Sequence, residues 1–142
     1  MYLLDVNLLI ALCDADHLQH DRARRWFSDS ASAGWATCPL TENALLRIMG
    51  HPDYPAGPGS PAGVFPLLQQ MRSHPGHVFL PDTLSLGEAD LVPELFGVTP
   101  KMVTDLYLLA LAVTHAARLA TLDKRIDPHL VHGGRDALIE VG

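Results

Sequence analysis

Short apolar runs alternate with longer segments of helical periodicity along this chain. The runs predict strands at residues 2–5, 35–38, 77–80, 119–122 and 137–141. The longer segments predict helices that start at Asn7 and near Thr41, and helices over residues 20–27, 61–73, 86–96 and 104–118. Strands and helices that alternate through short connections favour a parallel sheet. The pattern therefore predicts an α/β fold of three layers, in which helices cover both faces of a parallel sheet of about five strands.

Residues 51–63 interrupt this alternation. Proline or glycine occupies seven of these thirteen positions, which neither a helix nor a central strand tolerates. The flanking pieces are too short to form two separate cores. We therefore expect one domain over residues 1–142 and a surface loop at 51–63, which is a candidate contact for a substrate or a partner.

Acidic residues stand at the junctions between the predicted elements. Asp5 ends the first apolar run and Asp123 ends the fourth, whereas Glu42 and Asp105 lie in the first turns of predicted helices. In an open parallel sheet these positions meet at the carboxyl edge, where ligands bind. An isolated acid at such a position commonly caps a helix or forms a turn, so only the four acids together indicate a site.

Carboxylates that are gathered in one place raise one another's pKa values unless a cation neutralises them. Mg²⁺ prefers oxygen ligands and retains several waters, so two or three carboxylates are enough for one ion. Four would allow a second ion about 3.5–4 Å away, the arrangement that assists phosphodiester cleavage. The sequence therefore predicts metal-assisted phosphate chemistry.

Composition narrows the class of protein further. A net charge of −6 over 142 residues argues against a broadly basic nucleic-acid-binding face, although basic groups cluster locally at residues 22–25 and 124–125. Cys13 and Cys38 are too few for a disulfide framework and lack metal-ligand spacing, so we expect reduced thiols and a cytoplasmic protein. The eight histidines lack the His-Glu-x-x-His pattern and Cys partners of transition-metal sites.

Four segments together resemble the PIN-domain ribonucleases, and most closely the VapC toxins of bacterial toxin–antitoxin pairs. They are Asp-Val-Asn-Leu-Leu-Ile at 5–10, Pro-Leu-Thr-Glu-Asn at 39–43, Thr-Asp-Leu-Tyr-Leu-Leu-Ala-Leu-Ala at 104–112 and Leu-Ala-Thr-Leu-Asp at 119–123. The resemblance covers essentially the whole chain, in order. It implies a Mg²⁺- or Mn²⁺-dependent endoribonuclease with a PIN-like fold.

The resemblance also assigns roles to individual residues. The acids of the family match Asp5, Glu42, Asp105 and Asp123, and the metal would be held chiefly by Asp5 and Asp105. Glu42 and Asp123 would hold a second ion or act through water. Polar and basic residues that support the acids match Asn7, Thr121 and Arg47.

The partners that the resemblance implies are RNA, a second copy of the chain and a VapB-type antitoxin, in a heterotetramer or larger assembly. An antitoxin arginine inserted among the carboxylates would be a suitable inhibitor, because its fork pairs with them. We expect the antitoxin to contact the first two helices, where Trp26 and Phe27 offer apolar surface unless both belong to the core.

A Mg²⁺-binding phosphoacceptor receiver domain is the alternative function. In such a domain the acceptor would be Asp82, which follows the third strand. Receivers have adjacent acids after the first strand and a lysine after the last. Here Val6 and Asn7 follow Asp5, and the last strand is followed only by Gly142.

Overall fold

The computed structural model describes residues 1–88, 90–92 and 94–142. Over these residues the apolar runs form strands and the periodic segments form helices, as expected. The strands are β1 (Tyr2–Leu4), β2 (Trp35–Thr37), β3 (His77–Phe79), β4 (Arg118–Thr121) and β5 (Leu138–Glu140). The α-helices are α1 (Val6–Cys13), α2 (His20–Ser30), α3 (Pro39–Met49), α4 (Pro61–Ser73) and α5 (Val103–Thr114). Short 3-10 helices cover Ala31–Ala33, Pro100–Met102, Pro128–Leu130 and Gly134–Ala137.

All strands are parallel, in the order β3-β2-β1-β4-β5. Leu3 of the central strand pairs with Ala36 on one side and with Leu119 on the other. Asp5, the next residue after β1, therefore emerges in the middle of the carboxyl edge. A sheet of this connectivity places its ligand site at that edge.

The strand order also argues against the receiver alternative. Receiver domains have the order 2-1-3-4-5, in which the third strand is central. Here β3 lies at the edge of the sheet, so Asp82 is displaced from the middle of the carboxyl edge. The Asp82 carboxylate instead accepts a hydrogen bond from the Tyr107 hydroxyl at 2.8 Å.

Apolar side chains pack on both faces of the sheet, which confirms the predicted arrangement. One cluster is built around Leu3 and the leucines of α5, including Leu108 and Leu109. The other joins Leu4 and Trp35 to the apolar faces of α1, α3 and α4. Helix α5 is therefore buried over one face of the sheet and carries Asp105 in its first turn.

The boundaries of two helices differ from the prediction. Helix α3 begins at Pro39 rather than after Thr41, because proline is well suited to the first helical position. Thr41 still caps the helix, since its Oγ1 accepts from the backbone N–H of Cys38 at 3.0 Å. Helix α5 ends at Thr114, where Ala116 takes a φ of 52° and the Ala117 N–H donates to the Ala112 carbonyl at 2.8 Å. This Schellman turn leaves residues 115–117 as the link to β4.

The predicted helix over residues 86–96 is wrong for the part of that segment that is described. Residues 86–88, 90–92 and 94–96 form turns and irregular chain, whereas residues 89 and 93 lie outside the described residues. Apolar residues there pack against the core without regular backbone: Val92 is buried and Leu86 is half-buried. Apolar spacing alone does not distinguish such a segment from a helix.

The proline- and glycine-rich segment links α3 to α4, as expected of a loop, although its last three residues already belong to α4. The Tyr54 hydroxyl donates to Asp14 Oδ2 at 2.6 Å and ties the loop to the end of α1. Within the described residues, no helix combines the length and the apolar character needed to cross a membrane.

Candidate active site

Asp5 leaves the central strand and caps α1. Its Oδ1 accepts from the backbone N–H of Val6 at 2.7 Å, and its Oδ2 accepts from the Thr121 hydroxyl at 2.7 Å and from Asn7 Nδ2 at 3.3 Å. The residue is only 5% exposed. Burial raises the pKa of its carboxyl and the charge of Asp123 adds to this, although the three hydrogen bonds oppose the shift. Asp5 is thus a buried carboxylate that is held in one orientation near a second acid.

Asp105 faces the same region from the first turn of α5. Burial raises its pKa to about 6, with further contributions from the charges of Asp5 and Asp123. Coulomb interactions weaken with distance, so the effect of both charges on Asp105, and of Asp123 on Asp5, indicates that the three carboxylates lie in one region. Strands β1 and β4 and helix α5 therefore bring three of the four selected acids together at the carboxyl edge.

Asp123 differs from the other two acids because it has a cation beside it. Arg125 Nε donates to its Oδ1 at 3.0 Å and Arg125 Nη2 to its Oδ2 at 3.2 Å. These contacts lower the pKa of Asp123. Its backbone N–H donates to Thr121 Oγ1 at 3.0 Å, so the Thr121 hydroxyl links Asp123 to Asp5.

Asn7 connects the start of α1 to the end of β4. Its Nδ2 lies within hydrogen-bonding distance of both Asp5 Oδ2 and Thr121 Oγ1, at 3.3 and 3.2 Å. Its Oδ1 accepts from the backbone N–H of Leu122 at 3.1 Å. The structure therefore places Asn7 and Thr121 in contact with Asp5, as a supporting role requires.

Glu42 is held by residues other than those around the three aspartates. Its Oε2 accepts from the Thr37 hydroxyl at 2.6 Å and from Arg72 Nη1 at 2.7 Å. Its charge is not among those that shift the pKa values of Asp5 and Asp105. Glu42 is therefore committed to an ion pair on the β2–β3 side of the sheet, and it would have to release Arg72 before both of its oxygens could serve an ion.

The cation next to Glu42 is not the one selected from the sequence. Arg47 is exposed in the last turn of α3, whereas Glu42 lies in the first turn, so the structure does not bring Arg47 to the acids. Arg72, in the last turn of α4, takes that place. No local pattern links Arg72 to Glu42, because the contact depends on how α3 and α4 pack.

The acids offer oxygen atoms only, the ligand type that Mg²⁺ and Mn²⁺ prefer. In the part of the chain that the structure describes, no three His, Cys, Asp or Glu side chains form a ready-made metal cage. Mg²⁺ keeps several of its waters and commonly uses one or two protein carboxylates. The donor set of Asp5, Asp105 and Asp123 therefore fits a hydrated hard cation.

Comparisons with known proteins agree with this architecture. The family model described as "PIN domain" matches residues 2–128. Ribonuclease VapC44 of Mycobacterium tuberculosis is 42% identical over 124 residues, which is 87% of each chain. Ribonuclease VapC38 of the same organism is 42% identical over 87% of this chain and 85% of its own, and ribonuclease VapC29 is 38% identical over 96% and 95%. The chain therefore belongs to the PIN-domain family and, within it, to the VapC ribonucleases.

Proposed function

We propose that this protein is a metal-dependent endoribonuclease and the toxin of a toxin–antitoxin pair. The observation that carries the proposal is the convergence of Asp5, Asp105 and Asp123, two of which have raised pKa values, at the carboxyl edge of the sheet. The VapC ribonucleases among its relatives support an RNA substrate. An RNA substrate and a partner antitoxin favour the cytoplasm as the site of action.

The proposed chemistry is hydrolysis of a backbone phosphodiester. When bound, Mg²⁺ or Mn²⁺ would activate a water and offset the charge that develops on the phosphoryl oxygens. Asp5 and Asp105 would hold the ion, while Thr121 and Asn7 fix the Asp5 carboxylate by hydrogen bonds. No protein nucleophile is required: attack by water on the phosphorus, with cleavage of the bond to the 3′ oxygen, would leave 5′-phosphate and 3′-hydroxyl ends.

The remaining two acids have narrower proposed roles. Asp123 would contribute to a second ion or orient water once Arg125 moves off its oxygens. Glu42 would do the same with both of its oxygens only after it parts from Arg72. We therefore rank Asp5 and Asp105 above Asp123, and Asp123 above Glu42, in their expected importance for metal binding.

Labelled total RNA is the substrate that tests the proposed function. The purified protein should release discrete fragments with Mg²⁺ or Mn²⁺, and EDTA should stop the reaction. Mapping the fragment ends would name the RNA and distinguish 5′-phosphate from 5′-hydroxyl products. Metal-independent cleavage, or no cleavage by folded protein free of antitoxin, would contradict the proposal.

The proposed partner is a VapB-type antitoxin, bound to a homodimer in a heterotetramer or larger complex. A cavity of about 380 Å³ lies between α1, α2 and α4 and is a suitable contact site. Leu12, Phe27, Leu67 and Met71 give it apolar walls, and Arg24 lies at its side. Trp26 instead packs edge-on against Tyr2, with ring centroids 5.2 Å apart, and does not line the cavity.

Phe27→Ala should weaken antitoxin binding by about tenfold or more, as expected for loss of an aromatic anchor. Trp26→Ala is the matched control and should change the affinity by less than about threefold. Because Phe27 also packs against Trp35, Arg24→Ala serves as a second variant that leaves the core intact. Titration calorimetry with the cognate VapB-type antitoxin would measure all three. Equal losses for Trp26→Ala and Phe27→Ala would argue against this cavity.

A further inference from the structure

An arginine and an exposed phenylalanine lie together at the carboxyl end of β3. The Arg72 guanidinium carbon is 5.1 Å from the centroid of the Phe79 ring. Phe79 is 41% exposed although it belongs to the sheet, and the Arg72 side chain is 43% exposed. The pair therefore presents a flat cationic and aromatic surface to solvent, which we call the Arg72–Phe79 platform.

A chain of hydrogen bonds holds this platform in place. The Thr37 hydroxyl has one proton, which it donates to Glu42 Oε2 at 2.6 Å. The contact of 2.8 Å between Thr37 Oγ1 and His77 Nε2 must then have the histidine as donor. Glu42 Oε2 in turn accepts from Arg72 Nη1 at 2.7 Å. Residues at the ends of β2 and β3 thus fix one edge of the guanidinium, while 43% of the Arg72 side chain remains exposed to solvent.

The location relates the platform to the three aspartates. Phe79 pairs with Thr37 in the β2–β3 register, so it stands at the same carboxyl edge as Asp5. Strand β3 is two strands away from β1, a separation of about 10 Å. That distance suits contact with a nucleotide that flanks the bond to be cut.

We propose that the Arg72–Phe79 platform binds a nucleobase of the RNA substrate by stacking, an inference that rests on the proposed function. Single-stranded RNA is commonly bound by splayed bases that stack on aromatic rings and on guanidinium planes. Glu42 already balances the charge of Arg72, so the platform binds through its flat surface rather than as a free cation. While it is paired with Arg72, Glu42 is a positioning residue for the platform and not a metal ligand.

The test measures binding of a labelled single-stranded RNA of mixed sequence by fluorescence anisotropy, in the Asp5→Asn background with Mg²⁺ present. Phe79→Ala should raise the Kd by about tenfold, since stacking on one aromatic ring contributes roughly that factor. Phe79→Trp should restore tight binding. Phe65→Ala is the matched control: Phe65 is 51% exposed near the opposite end of α4 and should leave the Kd unchanged.

Arg72 is examined with two variants that separate its shape from its charge. Arg72→Lys keeps the charge and loses the plane, so it should weaken RNA binding about as much as Arg72→Gln. Thermal unfolding of each variant verifies that the fold is intact. Full binding by Arg72→Lys would show a simple charge contact and overturn the stacking assignment.

The outcomes distinguish this inference from the proposed function. If the wild-type protein cuts RNA and Phe79→Ala changes neither the Kd for RNA nor the KM for cleavage, the stacking inference is wrong and the proposed nuclease function is kept. If Phe79→Ala weakens RNA binding but the wild-type protein does not cut RNA, the proposed nuclease function is wrong and the stacking inference is kept. If Phe79→Ala weakens only antitoxin binding, the surface belongs to a protein partner and the RNA assignment is overturned.

Discussion

Asp105→Asn should reduce metal-dependent RNA cleavage by about 10³-fold or more while making the metal-free protein more stable at neutral pH. The loss of activity is expected because an amide binds a divalent cation poorly, and in the proposed mechanism the cation would stabilise the charge of the transition state. The gain in stability is expected because burial and two neighbouring carboxylates oppose ionisation of Asp105. In a metal-free site of this kind, the repulsion between the carboxylates lowers the free energy of unfolding.

The stability gain has a defined pH dependence. The pKa of Asp105 is about 6 in the folded protein and near 4 in an unfolded chain. The folded state therefore binds the Asp105 proton more tightly than the unfolded chain does. The resulting contribution to the free energy of unfolding is complete below about pH 4 and is lost as the pH rises through about 6. The melting temperatures of Asp105→Asn and the unaltered protein in EDTA should coincide near pH 4 and differ most above pH 6, with the variant higher.

Two further variants control this experiment. Asp5→Asn should also lose cleavage, because it removes the other proposed chief ligand. Asp82→Asn changes an exposed acid that contacts Tyr107 on the same helix as Asp105, and it should retain activity within about threefold. Rapid cleavage by Asp105→Asn in Mg²⁺, or equal losses for Asp82→Asn and Asp105→Asn, would remove Asp105 from the proposed metal site.

The sequence was informative wherever local pattern determines structure. Apolar runs and helical spacing placed the strands and most of the helices, because burial of one face dictates that spacing. Parallel connectivity then implied that Asp5, Glu42, Asp105 and Asp123 share an edge, and for three of them the charges of Asp5 and Asp123 do reach Asp105. For residues 86–96 the same reasoning failed, because side chains there are buried without regular backbone.

What the sequence did not reveal depends on side-chain direction and on contacts between distant elements. Glu42 lies in the first turn of α3 as expected, yet its carboxylate is directed to Thr37 and Arg72. Thirty positions separate Glu42 from Arg72, and only the packing of α3 against α4 joins them. Phe79 looked like an ordinary strand residue, and its exposure follows from the position of β3 at the edge of the sheet.

Binding of Mn²⁺ should strengthen about tenfold for each pH unit up to about pH 6 and then level off. Below its pKa of about 6, Asp105 must release a proton before it can coordinate an ion. The pKa of Asp5 is also raised, so this carboxyl adds to the proton release at the acidic end of the range. Asp123 does not contribute, because Arg125 lowers its pKa and keeps it ionised.

Titration calorimetry with Mn²⁺ between about pH 5 and pH 7 measures this dependence directly. Repeating each titration in two buffers of different ionisation enthalpy counts the protons released per ion. We expect about one proton or more near pH 5 and a fraction of one near pH 7, and Asp105→Asn should bind Mn²⁺ much more weakly across the whole range. If the affinity of the unaltered protein were constant across this range, Asp105 could not be a ligand, because a carboxyl with its raised pKa has to lose a proton to bind the ion.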